Sequence, residues 1–247
     1  MEVIPLFCPS CKAELQVQEA SLLFLCQSCQ RHYMERGSAL APVRFCCIPP
    51  SDPSTQPDFH LPFWLFDVEV QVNAPASNAA AAQDALELGA NCRTLLVEAF
   101  EKEPQASYFD WALKLIQGGI PLVGEYRYFP KALGSCSRSE DDCRPFPLAY
   151  LKYLIDQQVD ITDLSLDCVL TKPRLAAIPY VFDGTYVKDA CVGARLPKVD
   201  IACSLSPYEQ RDEQRDEQRD EQRDEQRYEQ RDEQRDEQQR AKERNRE

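Results

Sequence analysis

The chain has 247 residues, 41 acidic against 28 basic, for a formal net charge of −13, with 12 cysteines and only two histidines. That balance argues against a free-standing nucleic-acid binder, which needs Lys and Arg to neutralise phosphates and release counterions. No apolar run reaches the roughly 18 residues that span a bilayer, and Met1-Glu2-Val3-Ile4-Pro5-Leu6-Phe7 lacks the basic start of a secretory signal, so a soluble, cytoplasmic protein is expected.

Cys8-Pro9-Ser10-Cys11 and Cys26-Gln27-Ser28-Cys29 form the pattern C-x2-C-x14-C-x2-C. In a reducing compartment two such pairs point to a shared metal rather than to disulfides. A two-residue spacer lets both thiolates of a pair face one centre, and two pairs complete a tetrahedron with arms of about 2.3 Å. Four protein ligands leave no position open for water, so the metal is expected to be structural Zn2+. Iron or an iron–sulfur cluster and a redox-active pair are the competing readings, and the redox pair lacks the βαβ setting it needs. His32, three residues past Cys29, is expected as a solvated strand residue because four sulfurs already fill the site. Residues 14–18, 21–25 and 30–34 predict three short strands. So small a unit buries too little apolar area by itself, and metal binding is expected to supply folding free energy on the order of 10 kcal/mol or more.

With Lys12 behind the first pair and Tyr33 behind the second, residues 1–45 resemble the zinc-ribbon family. The resemblance implies a closed zinc site and leaves function open, since ribbons serve in nucleic-acid binding, in protein contacts and as structural modules. Glycine commonly follows the second cysteine of a ribbon knuckle; Lys12 and Gln30 stand there instead.

Residues 46–58, with Pro49, Pro50, Pro53 and Pro57 among serines, predict a stiff linker. Residues 59–205 hold enough Leu, Val, Ile, Tyr and Phe for one core. In chain order, the alternation from Phe66 to Val72 predicts a strand with one wet face; residues 79–88 predict a helix; residues 94–100 suit a strand or the end of that helix. Residues 111–116 predict a short helix stopped by Gly118-Gly119, and residues 147–157 a longer one with proline near its start. Residues 164–170 predict a strand beside a hairpin of residues 174–182 and 185–192, turning at Asp183-Gly184 through a type I′ turn. The fold class expected is α+β: a small N-terminal ribbon, then a larger domain with an antiparallel sheet. Leu61-Pro62-Phe63-Trp64, Ile178-Pro179-Tyr180 and Asp183-Gly184 loosely resemble bacterial zinc-ribbon proteins of unknown function, which adds architecture and no activity.

From residue 206 the chain becomes a low-complexity Arg-Asp-Glu-Gln repeat. Residues 208–247 carry 11 basic and 16 acidic side chains and no Leu, Ile, Val, Phe or Met. Identical charges fall at every i,i+4 position, and without an apolar stripe the tail cannot zip into a coiled coil, although its residues favour helix. It is expected to be dispensable for the fold.

No GxSxG, P-loop, GxGxxG or HExxH motif is present. Two histidines leave almost no candidates for acid–base chemistry. Asp67, Glu69, Glu125 and Asp183 read as solvated strand or turn residues, and Trp64, Tyr126, Tyr128 and Tyr180 read as core. Cys46, Cys47, Cys136 and Cys143 are expected to be ordinary thiols rather than a second metal site, and Cys92, Cys168, Cys191 and Cys203 to be core. No catalytic residue is assigned. The leading expectation is a non-enzymatic adaptor with a protein partner. An enzymatic or small-molecule-binding α+β domain with an accessory ribbon comes second. Nucleic-acid binding comes third, because Lys12, Arg31, Arg36 and Arg44 are balanced by Glu2, Glu14, Glu19 and Glu35 within residues 1–45.

Overall fold

A computed structural model describes residues 6–15, 21–36, 39–101, 111–122, 124–130 and 133–201. The repeat tail, Cys203 and residues 16–18 of the first expected strand lie outside the described residues.

The fold is α+β. Strands β1 (Leu23–Cys26), β2 (Arg31–Arg36) and β3 (Ala39–Val43) form an antiparallel three-stranded sheet in that order. The third strand is therefore 39–43 and not 14–18; around Glu14 there is only a bridge to Phe7 and a bond from the Leu15 N–H to the Leu6 carbonyl at 2.8 Å. Pro42 is tolerated because β3 is an edge strand, where a missing N–H costs no ladder bond.

A second, seven-stranded sheet is built from β4 (Phe45–Cys47), β5 (Phe59–Asn73), β6 (Thr94–Glu98), β7 (Glu125–Arg127), β8 (Ser165–Asp183), β9 (Tyr186–Asp189) and β10 (Arg195–Pro197). Helices α1 (Ala79–Asn91), α2 (Trp111–Gln117), α3 (Glu140–Cys143) and α4 (Phe146–Asp156) fall between the strands. β5 and β8 pair antiparallel from Phe59↔Tyr180 to Asn73↔Ser165, with β6 on the far side of β5. Along its other edge β8 carries β9, antiparallel, and β4, parallel, so the sheet is mixed. Apolar residues on both faces of one half of the pair bury that half: Phe59, Leu61, Phe63, Leu65 and Phe66 meet Leu95 and Leu96 of β6, all at or below 1% exposure. The other half alternates buried and exposed residues. There α1 packs so closely that a Cβ on Gly89 would meet a Val70 methyl at 2.8 Å.

Residues 164–170 prove to be the first half of β8, not a separate neighbour of it. The two halves join at a bulge: Leu65 pairs with Arg174 and Asp67 with Thr171, which sets Phe66 opposite two residues, one of them Lys172 at φ 50°. The hairpin forms, but Asp183 pairs with Tyr186 and the two-residue loop is Gly184-Thr185. Only Gly184 has positive φ, 62°, the pattern of a type II′ turn rather than I′.

Residues 46–58 differ most from expectation. Cys46 and Cys47 lie in β4, Ile48 is buried, and the stretch is tied along β8 and β9 by Ile48 N–H to Ala177 O (3.2 Å), Ser51 N–H to Ala190 O (2.8 Å) and Asp58 N–H to Tyr180 O (3.0 Å). Its non-proline N–H groups supply those bonds. Composition reads such a stretch as a spacer, but its first residues belong to the sheet.

Candidate metal centre

The Cys8 and Cys26 pairs sit on two tight turns. The first is closed by Lys12 N–H to Cys8 O (2.9 Å) and Cys8 N–H to Ala13 O (2.8 Å); the second is the turn between β1 and β2, beyond the Cys26↔Arg31 pair. Lys12 and Gln30 adopt φ 64° and 50°, the left-handed region where glycine is the usual occupant. The backbone thus keeps the knuckle shape although the side chains depart from it, at about 1 kcal/mol or more per residue.

The sulfurs of Cys8, Cys11, Cys26 and Cys29 lie within 4.8 Å of one another, with Cys8–Cys29 at 3.7 Å and Cys11–Cys26 at 3.4 Å. These separations exceed the roughly 2.05 Å of a disulfide. They match the edge of about 3.8 Å expected for four sulfurs around one ion at about 2.3 Å. The donor set therefore fits a tetrahedral metal ion, and among the described residues no other group of three or more ligating side chains converges. Cys8 and Cys26 are buried, Cys29 is half-buried and Cys11 is exposed.

Tyr33 completes the site. Fully buried in a small cluster with Cys8, Leu15 and Cys26, its hydroxyl lies 3.2 Å from Cys8 Sγ and 3.6 Å from Cys29 Sγ, and donates to Ser10 Oγ at 2.8 Å. Burial opposes ionisation of Cys8, but the Tyr33 hydroxyl and the backbone N–H groups of Cys11 and Ser10 outweigh it and bring the thiol down to about 6. Burial and the contact with Cys8 push the Tyr33 phenol up, so it keeps its proton. A protonated phenol against two sulfurs can steady thiolate charge, the role that hydrogen-bonding partners play around metal ligands. The aromatic at position 33 was visible in the sequence; its hydroxyl contacts were not.

His32 is not the solvated residue expected. It is 3% exposed, its Nδ1 lies 3.1 Å from the Phe129 carbonyl, and its ring packs edge-on against Phe45 at 5.3 Å. Burial lowers its pKa to about 4, against a smaller opposing effect of the Phe129 hydrogen bond. His60 is also buried, 4.7 Å from the same Phe129 ring. Together with Leu22 N–H to Cys136 O (2.6 Å), these contacts fix the cysteine-bearing sheet against the larger one.

The carboxylates singled out by sequence are engaged with cations or exposed. Asp67 accepts from Arg174 at 2.6 Å and from Thr94 at 2.9 Å; Glu125 pairs with Arg127 at 3.3 Å and Asp183 with Arg195 at 2.9 Å; Glu69 is exposed. Asp67 and Glu69 border an open groove of about 520 Å³ beside α1. Two buried acids escaped notice. Glu98 accepts from the Trp111 and Ala112 N–H groups at the start of α2 and from Tyr150; Asp189 accepts from the N–H groups of Cys191, Val192 and Ala194. A lone acid within the apolar run Leu95-Leu96-Val97-Glu98-Ala99-Phe100 was the available signal for the first.

Among the weaker cysteines, Cys136 and Cys143 are buried and free, with burial pushing the Cys143 thiol up to about 12. Cys191 is buried, whereas Cys92 and Cys168 are only half-buried and so are not core. Trp64 and Tyr180 are core as expected, but Tyr126 and Tyr128 stand on the surface at 45% and 38% exposure. No helix among the described residues is long and apolar enough to cross a membrane. No family model matches the chain, and no curated protein or solved structure shows significant similarity to it.

Proposed function

We propose that the chain is a non-enzymatic adaptor in which Cys8, Cys11, Cys26 and Cys29 hold one structural zinc ion in a zinc-ribbon unit, and in which the α+β domain docks a protein partner. The observation that carries this reading is the closed sulfur set: four protein ligands at tetrahedral spacing leave no coordination position for water or substrate. The roles of the other titratable groups support it. Both histidines are packed in an aromatic cluster, Glu98 caps a helix, and Asp189 holds a turn.

The test is isolation of the zinc-loaded protein under native conditions, identification of one stoichiometric partner, and reciprocal isolation with that partner as bait. Recovery of the pair both ways, with no turnover of partner or small molecules, supports the reading. Catalytic turnover that survives loss of the metal would contradict it and favour the accessory-ribbon enzyme.

A further inference from the structure

Although residues 1–45 carry balanced charge, the fold gathers arginines from distant positions onto one face. Arg31 of β2 places its guanidinium 4.7 Å from the centre of the Tyr128 ring. Arg44, just before β4, lies 5.9 Å from the same ring and 5.0 Å from that of Tyr126. Tyr126 and Tyr128 follow Glu125 on and beside the outermost strand of the sheet, and Arg127 stands between them. The result is a ladder of alternating Arg and Tyr, with Arg127 at its side.

Three features make this more than a surface coincidence. Among the described residues, neither Arg31 nor Arg44 forms an ion pair, although the chain has far more acids than bases. Stacking on tyrosine fixes each guanidinium plane while leaving in-plane N–H donors for a carboxylate, so little side-chain entropy is lost on binding. Arg and Tyr are also the residue types that concentrate binding energy at protein interfaces. Glu125 offsets only Arg127, leaving a cationic face on an anionic protein.

We infer that this face is the docking surface for an acidic, Glu- or Asp-rich segment of a protein partner, with Arg31 and Arg44 as the principal anchors. The inference rests on the adaptor reading and names the chemistry of its partner. A protein segment fits better than single-stranded nucleic acid. Base stacking needs open aromatic faces, whereas guanidinium groups lie over these rings, and a chain of net charge −13 repels a phosphate backbone beyond the patch.

The experiment is fluorescence anisotropy with the full-length, zinc-loaded chain and a labelled Glu-rich peptide, alongside a Gln-substituted control peptide and an oligothymidine strand. The expected result is saturable binding of the Glu-rich peptide alone, weakened at least about tenfold by Arg44→Glu and by Arg31→Glu, as for loss of a charge-assisted contact. Circular dichroism and zinc content must match wild type in both variants. Arg44→Lys, which keeps the charge but loses the planar fork, should weaken binding several-fold. Absence of peptide binding, binding indifferent to both charge reversals, or tighter binding of oligothymidine overturns the proposal. A partner that co-isolates equally with wild type and the Arg31→Glu/Arg44→Glu protein overturns this surface while leaving the adaptor reading standing.

Discussion

The cysteine-bearing sheet and the β5–β8 sheet lie in one chain segment yet are held by different forces. Around the cysteines the buried cluster is Cys8, Leu15, Cys26 and Tyr33, so much of what could form a core consists of ligands and a phenol aimed at them. In β5 a run of consecutive apolar residues is buried on both faces and needs no ion. The difference teaches that one part of the chain stores its stability in four sulfurs at fixed spacing, and the other spreads it over many replaceable contacts.

The sharpest way to separate the two is Cys26→Ser. Removing one of four ligands should forfeit a metal-linked folding contribution on the order of 10 kcal/mol. Zinc should no longer be retained at one per chain, and amide signals from residues 21–36 should collapse while those of residues 59–66 keep native dispersion in a two-dimensional NMR spectrum. Joint collapse of both sets would show that the two regions are one cooperative unit.

Phe63→Ala is the reciprocal change. It empties a site at 0% exposure that packs edge-on against Phe100 at 5.5 Å, and should cost about 3–5 kcal/mol. Zinc content of the folded protein should stay at wild type while the denaturation midpoint falls; loss of zinc from the native protein would break the distinction.

Acid should act on the seam. His32 is buried neutral, with its pKa lowered from 6.5 to about 4. Above pH 6.5 neither the folded nor the unfolded state protonates it, and its contribution is fully present. As pH falls from 6.5 toward 4 the unfolded chain takes up a proton that the fold refuses, and about 3 kcal/mol is lost. The acid-induced loss should be smaller in His32→Leu than in wild type by about 2 kcal/mol between pH 7 and pH 5, measured by denaturant unfolding. Using this difference removes the acid sensitivity of the metal ligands, common to both proteins.

The smallest effect expected is stabilising. Lys12→Gly and Gln30→Gly relieve non-glycine residues at φ 64° and 50°, and each should raise ribbon stability by up to about 1 kcal/mol, read as a higher chelator concentration for half-unfolding. A lower one would mean that these side chains make contacts outweighing the strain.

The cysteine cluster was the most legible feature because ligand spacing is local: two residues between thiols put both on one turn whatever follows. The strand pair around Asp183-Gly184 was legible for the same reason. What escaped the sequence was set by distant contacts. The bulge at Lys172 made one strand of two apparent ones, and the prolines after Cys47 concealed N–H groups that bond to Ala177, Ala190 and Tyr180. His32 looked solvated because Phe129, the residue that buries it, is far along the chain. Arg31 and Arg44 balanced against local acids in a segment count, yet the fold sets them beside Tyr126 and Tyr128. Charge summed along a chain is blind to which face each side chain occupies.

The central claim is most directly tested by elemental analysis of the full-length protein purified without chelator, paired with quantification of free thiols before and after metal removal. The account predicts one zinc per chain and four thiols that react rapidly only once the metal is gone, with Cys8, Cys11, Cys26 and Cys29 identified by mass spectrometry. Protein that is folded, free of zinc and reactive at those four positions from the outset would contradict it.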